Sequence, residues 1–195
     1  MTARLVFDRV ACLRGDRLLF EGLSFALGAG DAALLTGPNG AGKSSLMRLA
    51  AGLLPLSAGT IDHEGRIAHA GEAAALDMRL PLARALGFWA RIDGSEADAV
   101  RDALDRMGIA NLAEVPVHML STGQRKRATL ARILAARADI WLLDEPGNGL
   151  DTASLGRLAA AMAAHRAGGG IVLLATHQPL DLPGALPIEL GNVAA

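Results

Sequence analysis

The sequence is poor in exactly the residues that several protein classes need: it has no tyrosine, one cysteine, two tryptophans and four phenylalanines, and only Lys43 and Lys126 are lysines. The lone Cys12 rules out an internal disulfide and provides no metal-ligand spacing, which suits a reducing compartment. A formal net charge of -1, with no basic run beyond Arg125-Lys126-Arg127, argues against nucleic acid as a partner. Apolar stretches such as 53–56 and 171–176 are far shorter than the roughly 20 residues a spanning helix requires. The opening MTARLVFDRV lacks the charged-then-apolar order of a signal peptide. Together these absences lead us to expect a soluble chain of one domain, residues 1–195, whose membrane role, if it has one, comes through a partner.

Alternating apolar residues near Arg4 to Leu13 and Leu18 to Leu27 predict antiparallel strands joined by a turn at Arg14-Gly15-Asp16. Residues 32–36 form a continuous apolar strand, and a helix is expected over 44–51. From about 80 to 137 the apolar period becomes helical, with Gly94 and Pro116 as breaks, and this reads as a helical insertion. Two further apolar strands, 140–143 and 171–175, flank an Ala-rich helix over about 152–167. Strands alternating with helices imply an α/β fold with a parallel sheet.

Between the strand at 32–36 and the helix after it lies Gly37-Pro38-Asn39-Gly40-Ala41-Gly42-Lys43-Ser44-Ser45. The spacing Gly-x-x-x-x-Gly-Lys-Ser in this context is that of a phosphate-binding loop. Its glycines let successive backbone N–H groups turn inward, and the following helix N-terminus adds partial positive charge toward the same anion. Lys43 would reach the β and γ phosphates, and the Ser44 hydroxyl would sit on Mg²⁺. A lysine here, in an arginine-rich chain, fits a need for a compact ammonium.

Asp144 and Glu145 end the strand at 140–143, where one carboxylate can hold Mg²⁺ and its neighbour can activate water. A polar pair that merely terminates a strand is the alternative. His177 follows the strand at 171–175, so it too lies at a carboxyl end, where ligands bind in open α/β sheets; a plain loop residue is the other reading. His63, His69, His118 and His165 lack such placement and read as surface or packing residues. Ser121 with Gln124 three residues on is a capping box for the next helix. That pairing leaves unexplained Gly123 in the first turn, where glycine weakens a helix but opens the backbone to an anion.

These motifs in this order, residues 37–44, Leu120-Ser121-Thr122-Gly123-Gln124, Asp144-Glu145, Leu150-Asp151 and His177, resemble the motif set of ABC-transporter ATPases across nearly the whole chain. The resemblance implies a P-loop NTPase of the ABC cassette type, with an N-terminal antiparallel β portion and an inserted helical subdomain. It implies ATP and Mg²⁺ as cofactors and a homodimer of cassettes packed head to tail. Ser121 and Gly123, with Thr122, Gln124 and Asp151 beside them, would then face the nucleotide held by the other copy. Asp144 would hold Mg²⁺, Glu145 would activate water, and His177 would stabilise the γ-phosphate.

Within that family, ACLRGDRLLFEGLSFAL at the front and ATHQPL near the end resemble the ATP-binding subunits that serve c-type cytochrome maturation. This implies haem export, or release of haem from its chaperone, powered on the cytoplasmic face of the inner membrane beside integral membrane subunits. No Cys-x-x-Cys-His occurs, so no direct haem site is evident. An ATPase of another small-solute or lipid exporter, or a slow nucleotide-gated clamp, remains an alternative. Two family features are missing. The aromatic that stacks on adenine has only Arg14 or Arg17 as a flat substitute in residues 12–17, and the glutamine after the strand near Ile67 has only Glu72, or next Asp77.

Overall fold

The computed structural model describes residues 3–71, 76–177 and 180–191. Glu72 and Gln178 lie outside the described residues. In chain order the elements are β1 (Arg4–Arg14), β2 (Arg17–Leu27), β3 (Ala32–Thr36), α1 (Lys43–Ala50), β4 (Ala58–Glu64) and β5 (Ile67–Ala70). They continue with α2 (Leu82–Ile92), α3 (Ala97–Arg106), α4 (Thr122–Ala135), β6 (Ile140–Asp144), α5 (Thr152–Ala167), β7 (Ile171–Ala175) and β8 (Leu186–Glu189). Short 3₁₀ turns at Ala110–Leu112 and Val117–Met119 link α3 to α4.

A five-stranded parallel sheet runs in the order β5-β6-β7-β3-β8, and a three-stranded antiparallel sheet in the order β2-β1-β4. The central strands β6 and β7 are buried at every position. That is why they read as unbroken apolar runs rather than alternating ones: both faces of a parallel sheet are covered. Successive residues feed two cores. Trp141, Leu143, Val172 and Leu174 join the core built with α2 to α5, whereas Ile140, Leu142, Ile171 and Leu173 join the core shared with α1 and the antiparallel sheet.

On the first face, α2, α3 and α4 contribute Leu82, Leu86, Val100, Leu104, Leu130 and Ile133, at the spacings that place apolar residues on one side of a helix. Arg132 of α4 ties this group to the sheet: its guanidinium lies 5.1 Å from the Trp89 ring centre of α2 and donates to the His69 carbonyl of β5. The Ala-rich α5 buries Leu158, Ala161 and Met162, and its last turn lays His165 flat on Trp141 at 4.0 Å.

Two strands escape the sequence reading. β4 pairs with β1 at the sheet edge and is exposed except at Ile61, so it has no alternating apolar signal. β8 is four residues long, contains Pro187 and buries only Ile188. Proline is tolerated there because β8 is an edge strand.

Candidate functional site

β3, β6 and β7 are adjacent and parallel, so the loops that follow them emerge side by side at one edge of the sheet. The first of these loops is residues 37–42. Gly37 has φ 135°, and a side chain on it would collide with the carbonyl of Leu190, which follows β8. Gly42 has φ 104°, and a side chain there would come within 2.9 Å of the Phe20 ring of β2. The two motif glycines thus serve packing as well as curvature: the loop is clamped between β8 and the antiparallel hairpin.

Gly42 leads directly into α1. No side chain caps α1, and no acidic residue occupies its first turn. α4 and α5 are each capped by a side chain and α2 is uncapped like α1, but it is α1 whose first residues, Lys43 to Ser45, line the cavity described next. The N-terminal N–H groups and positive dipole end of α1 therefore remain available to an anion. Lys43 is 9% exposed, and its ammonium donates to the carbonyls of Gly37 (2.7 Å) and Pro38 (3.1 Å). This folds the cation back over the loop.

A cavity of about 320 Å³ opens over this loop, lined by Asn39, Gly40, Gly42, Lys43, Ser44 and Ser45. Its far wall carries Asp144 and Glu145. Asp144 is 5% exposed as the last residue of β6, and Glu145 follows it with φ 47°. A left-handed glutamate costs about 1–3 kcal/mol, a strain typical of functional positions. The Glu145 N–H donates to the Ala175 carbonyl of β7 at 2.8 Å, which holds the residue in place.

The Glu145 carboxylate is unevenly satisfied. Oε1 lies 2.9 Å from His177 Nδ1, while Oε2 is buried without a hydrogen-bond partner. Because a carboxylate only accepts, Nδ1 supplies the proton of this contact. One oxygen is thus anchored, and the other is buried without a partner among the described residues. Ser44 and Asp144 add hard oxygen donors of the kind Mg²⁺ takes, beside an ammonium and helix N–H groups suited to phosphate.

Ser121, Thr122, Gly123 and Gln124 do not line this cavity. The capping box is present with both of its bonds: Ser121 N–H donates to Gln124 Oε1 at 2.8 Å, and Gln124 N–H to Ser121 Oγ at 3.2 Å. Gly123 faces the Gly149 carbonyl, 3.3 Å from where a side chain would begin, so it also permits a close approach within the chain. Thr122 lines a second cavity of about 460 Å³ with Arg125, Thr129, Asn148 and Glu145. Glu145 thus borders both cavities. Asp151 caps α5 by accepting from the Ser154 N–H at 2.7 Å, and this hydrogen bonding holds its carboxyl below the usual carboxylate value.

Pro38 and Ala41 shape the loop from behind, each close to Gly191. Asp77 accepts from the Arg79 N–H at 2.9 Å as part of a turn and does not line the phosphate cavity. The remaining histidines fit packing roles: His63 contacts the Gly65 carbonyl and His118 the Met78 carbonyl, and burial lowers the pKa of His69 and His165. Of the two arginines offered by the hairpin, Arg14 lines the cavity and Arg17 does not. Arg48 also lines it and was missed; its signal was the four-residue spacing from Ser44 on α1.

A family model described as "ABC transporter" matches residues 20–148. The chain is 58% identical over 194 residues to a protein of Sphingopyxis alaskensis named cytochrome c biogenesis ATP-binding export protein CcmA, with 100% of both chains covered. It is 53% identical to the protein of the same name from Zymomonas mobilis, covering 99% of this chain and 87% of that one. Among solved structures, an ABC transporter ATP-binding protein from Pyrococcus furiosus superposes with a TM-score of 0.84 at 22% identity, covering 96% of this chain and 97% of that one. The ADP conformation of an ATP-binding cassette gives a TM-score of 0.74 at 20% identity, covering 91% and 82%.

Proposed function

The chain belongs to the ABC transporter family, and on that premise we propose that it is the ATP-hydrolysing subunit of an export complex that serves c-type cytochrome biogenesis. The geometry that carries hydrolysis is a single cavity lined by both Lys43 and Ser44 and by Asp144 and Glu145. Residues 1–195 are taken as one cassette, with the helical part at about 80–137.

Lys43 and the uncapped N–H groups of α1 bind the phosphates. Ser44 and Asp144 would hold Mg²⁺, which would supply neutralisation of phosphate charge. The Glu145 carboxylate takes the proton of the attacking water, and His177 orients it through Oε1. Ser121 and Gly123 lie outside this cavity in their own chain. That separation supports a head-to-tail homodimer in which Ser121 of the partner subunit closes on the γ-phosphate. Thr122, Gln124 and Asp151 flank that contact.

Among the described residues no helix is long and apolar enough to cross a membrane. The ATPase therefore acts through integral membrane subunits, which we place with it at the cytoplasmic face of the inner membrane. Cells whose only copy carries Lys43→Ala test the assignment, with the level of the variant protein checked. Loss of covalently bound haem from c-type cytochromes, with other haem proteins intact, is the expected result; normal c-type cytochromes would refute the assignment to their biogenesis.

A further inference from the structure

We propose that Arg48 is a catalytic cation supplied within the chain, its guanidinium binding the terminal phosphate more tightly while that group passes to water than while it belongs to the bound nucleotide. The inference rests on the nucleotide reading of the cavity given above. Arg48 lines that cavity together with Ser44, Asp144 and Glu145. It stands one turn, about 6 Å, farther along α1 than Ser44 and on the same helix face. Helical side chains lean toward the N-terminus of their helix, so this one is carried back toward the phosphate end of the site. The facing sheet sets what it meets there. Ile140 and Leu142 of β6 join the core shared with α1, and by the alternation of a strand Asp144 turns to that same face. On the neighbouring β5, His69 pairs with Leu142 and shares this face with Ile67. The pKa of His69 is lowered chiefly by desolvation, with Asp144 opposing the shift and Arg132 and Arg48 adding to it. Arg48 and Asp144 therefore act on one imidazole from the same neighbourhood.

Arg48 is exposed, and among the described residues no hydrogen bond or ion pair occupies its guanidinium. A cation in the last turn of a helix also suits the helix dipole, but any face of that turn would serve the dipole equally. Of the other cations that line the cavity, Lys43 donates to carbonyls of its own loop and Arg14 belongs to the β1–β2 hairpin. β5 ends at Ala70 and is followed by Gly71, so neither residue brings a polar side chain to this edge. Hydrolysis joins the water oxygen to the terminal phosphorus, breaks the bond from that phosphorus to the oxygen shared with the next phosphate, and sends the water proton to Glu145. The transferring group then spreads its negative charge over its remaining oxygens, beside a wall that carries two carboxylates. A planar, weakly hydrated guanidinium offers paired donors to two such oxygens at once. Its attraction grows where that charge develops, which is what lowers a barrier.

The test compares wild type with Arg48→Met in the complex assembled with its membrane subunits. Methionine keeps an unbranched stem and helix propensity at an exposed position, so the fold is retained. Three quantities are measured: ATP turnover, affinity for ADP, and affinity for ADP in the presence of orthovanadate, which mimics the transferring phosphate. Turnover should fall about 100-fold, and the affinity that vanadate adds to ADP should fall by a similar factor. Affinity for ADP alone should be unchanged. Turnover close to that of wild type would overturn the proposal. So would lost turnover with the vanadate effect intact, which would place Arg48 at a contact with another subunit. Loss of ADP affinity as large as the loss of turnover would also overturn it, by making Arg48 a general phosphate ligand. Failure of wild type to bind ATP or ADP would instead overturn the nucleotide reading itself.

Discussion

Replacing Glu145 by glutamine is expected to stop turnover while leaving nucleotide affinity intact. The substitution keeps the size of the side chain and an oxygen to accept from His177 Nδ1, which lies 2.9 Å from Oε1 in the native site. What it removes is the ability of the carboxylate to take a proton. A general base contributes about 10² to 10⁴ in rate, equivalent to about 3 to 5 kcal/mol on the barrier. Phosphate release by the complex assembled with its membrane subunits gives the rate, and ATP titration of the same preparation gives the affinity. Turnover within about threefold of wild type would remove Glu145 from its role. Glu145→Gly is a useful companion, because glycine relieves the left-handed φ of 47°. Its melting temperature should not fall, yet its turnover should be lost as fully. The glutamine variant should also accumulate as an ATP-dependent dimer. A monomer by light scattering at saturating Mg-ATP would count against the two-copy site.

Ser121 offers a separation of structure from chemistry. Ser121→Ala removes the α4 cap and should cost about 1 kcal/mol; Ser121→Asp, an equally good cap, should recover that stability but not turnover. Recovery of both would reduce Ser121 to a cap. Acid should destabilise the protein through two half-buried imidazoles: His69 and His165 have pKa values lowered from 6.5, chiefly by desolvation. Their contribution is complete above 6.5 and is lost as pH falls from there toward the lowered folded values, because the unfolded chain then binds more protons. His165→Phe keeps the stack on Trp141 and should flatten the fall of melting temperature below about pH 6.5; an unaltered slope would exclude His165 as a source. Gly170→Ala would drive a methyl into the His165 ring. A penalty of about 2 kcal/mol should lower the melting temperature by about 4–8 °C, and an unshifted melt would show that the ring moves aside.

The parallel sheet was readable because burial on both faces leaves unbroken apolar runs: β3, β7 and α5 have the boundaries expected from sequence. Two of the edge strands were not, since β4 and β8 expose nearly every side chain and their pairing partners lie far away in sequence. At the site, the order of residues 37–45, 144–145 and 177 announced a phosphate-handling chemistry, and adjacency of β3, β7 and β6 explains why distant residues meet. The geometry of Glu145 was silent in sequence. Left-handed backbone is advertised by glycine or asparagine, and a glutamate forced there by its hydrogen bond to Ala175 gives no such sign. The glycine at 123 was legible as unusual for a first turn, but its neighbour, the Gly149 carbonyl, comes only from folding.

The brace beneath the phosphate loop sets an order of events. The Leu190 N–H donates to the Thr36 carbonyl at 2.9 Å, and β8 pairs with β3 just ahead of it. A ribosome therefore makes the loop early and its support late. A nascent chain that has not yet released residues 186–190 carries the complete phosphate-binding motif without the strand that holds it. Pairing across such a separation is intrinsically slow. The loop's full support thus arrives only once residues 186–190 have folded against β3.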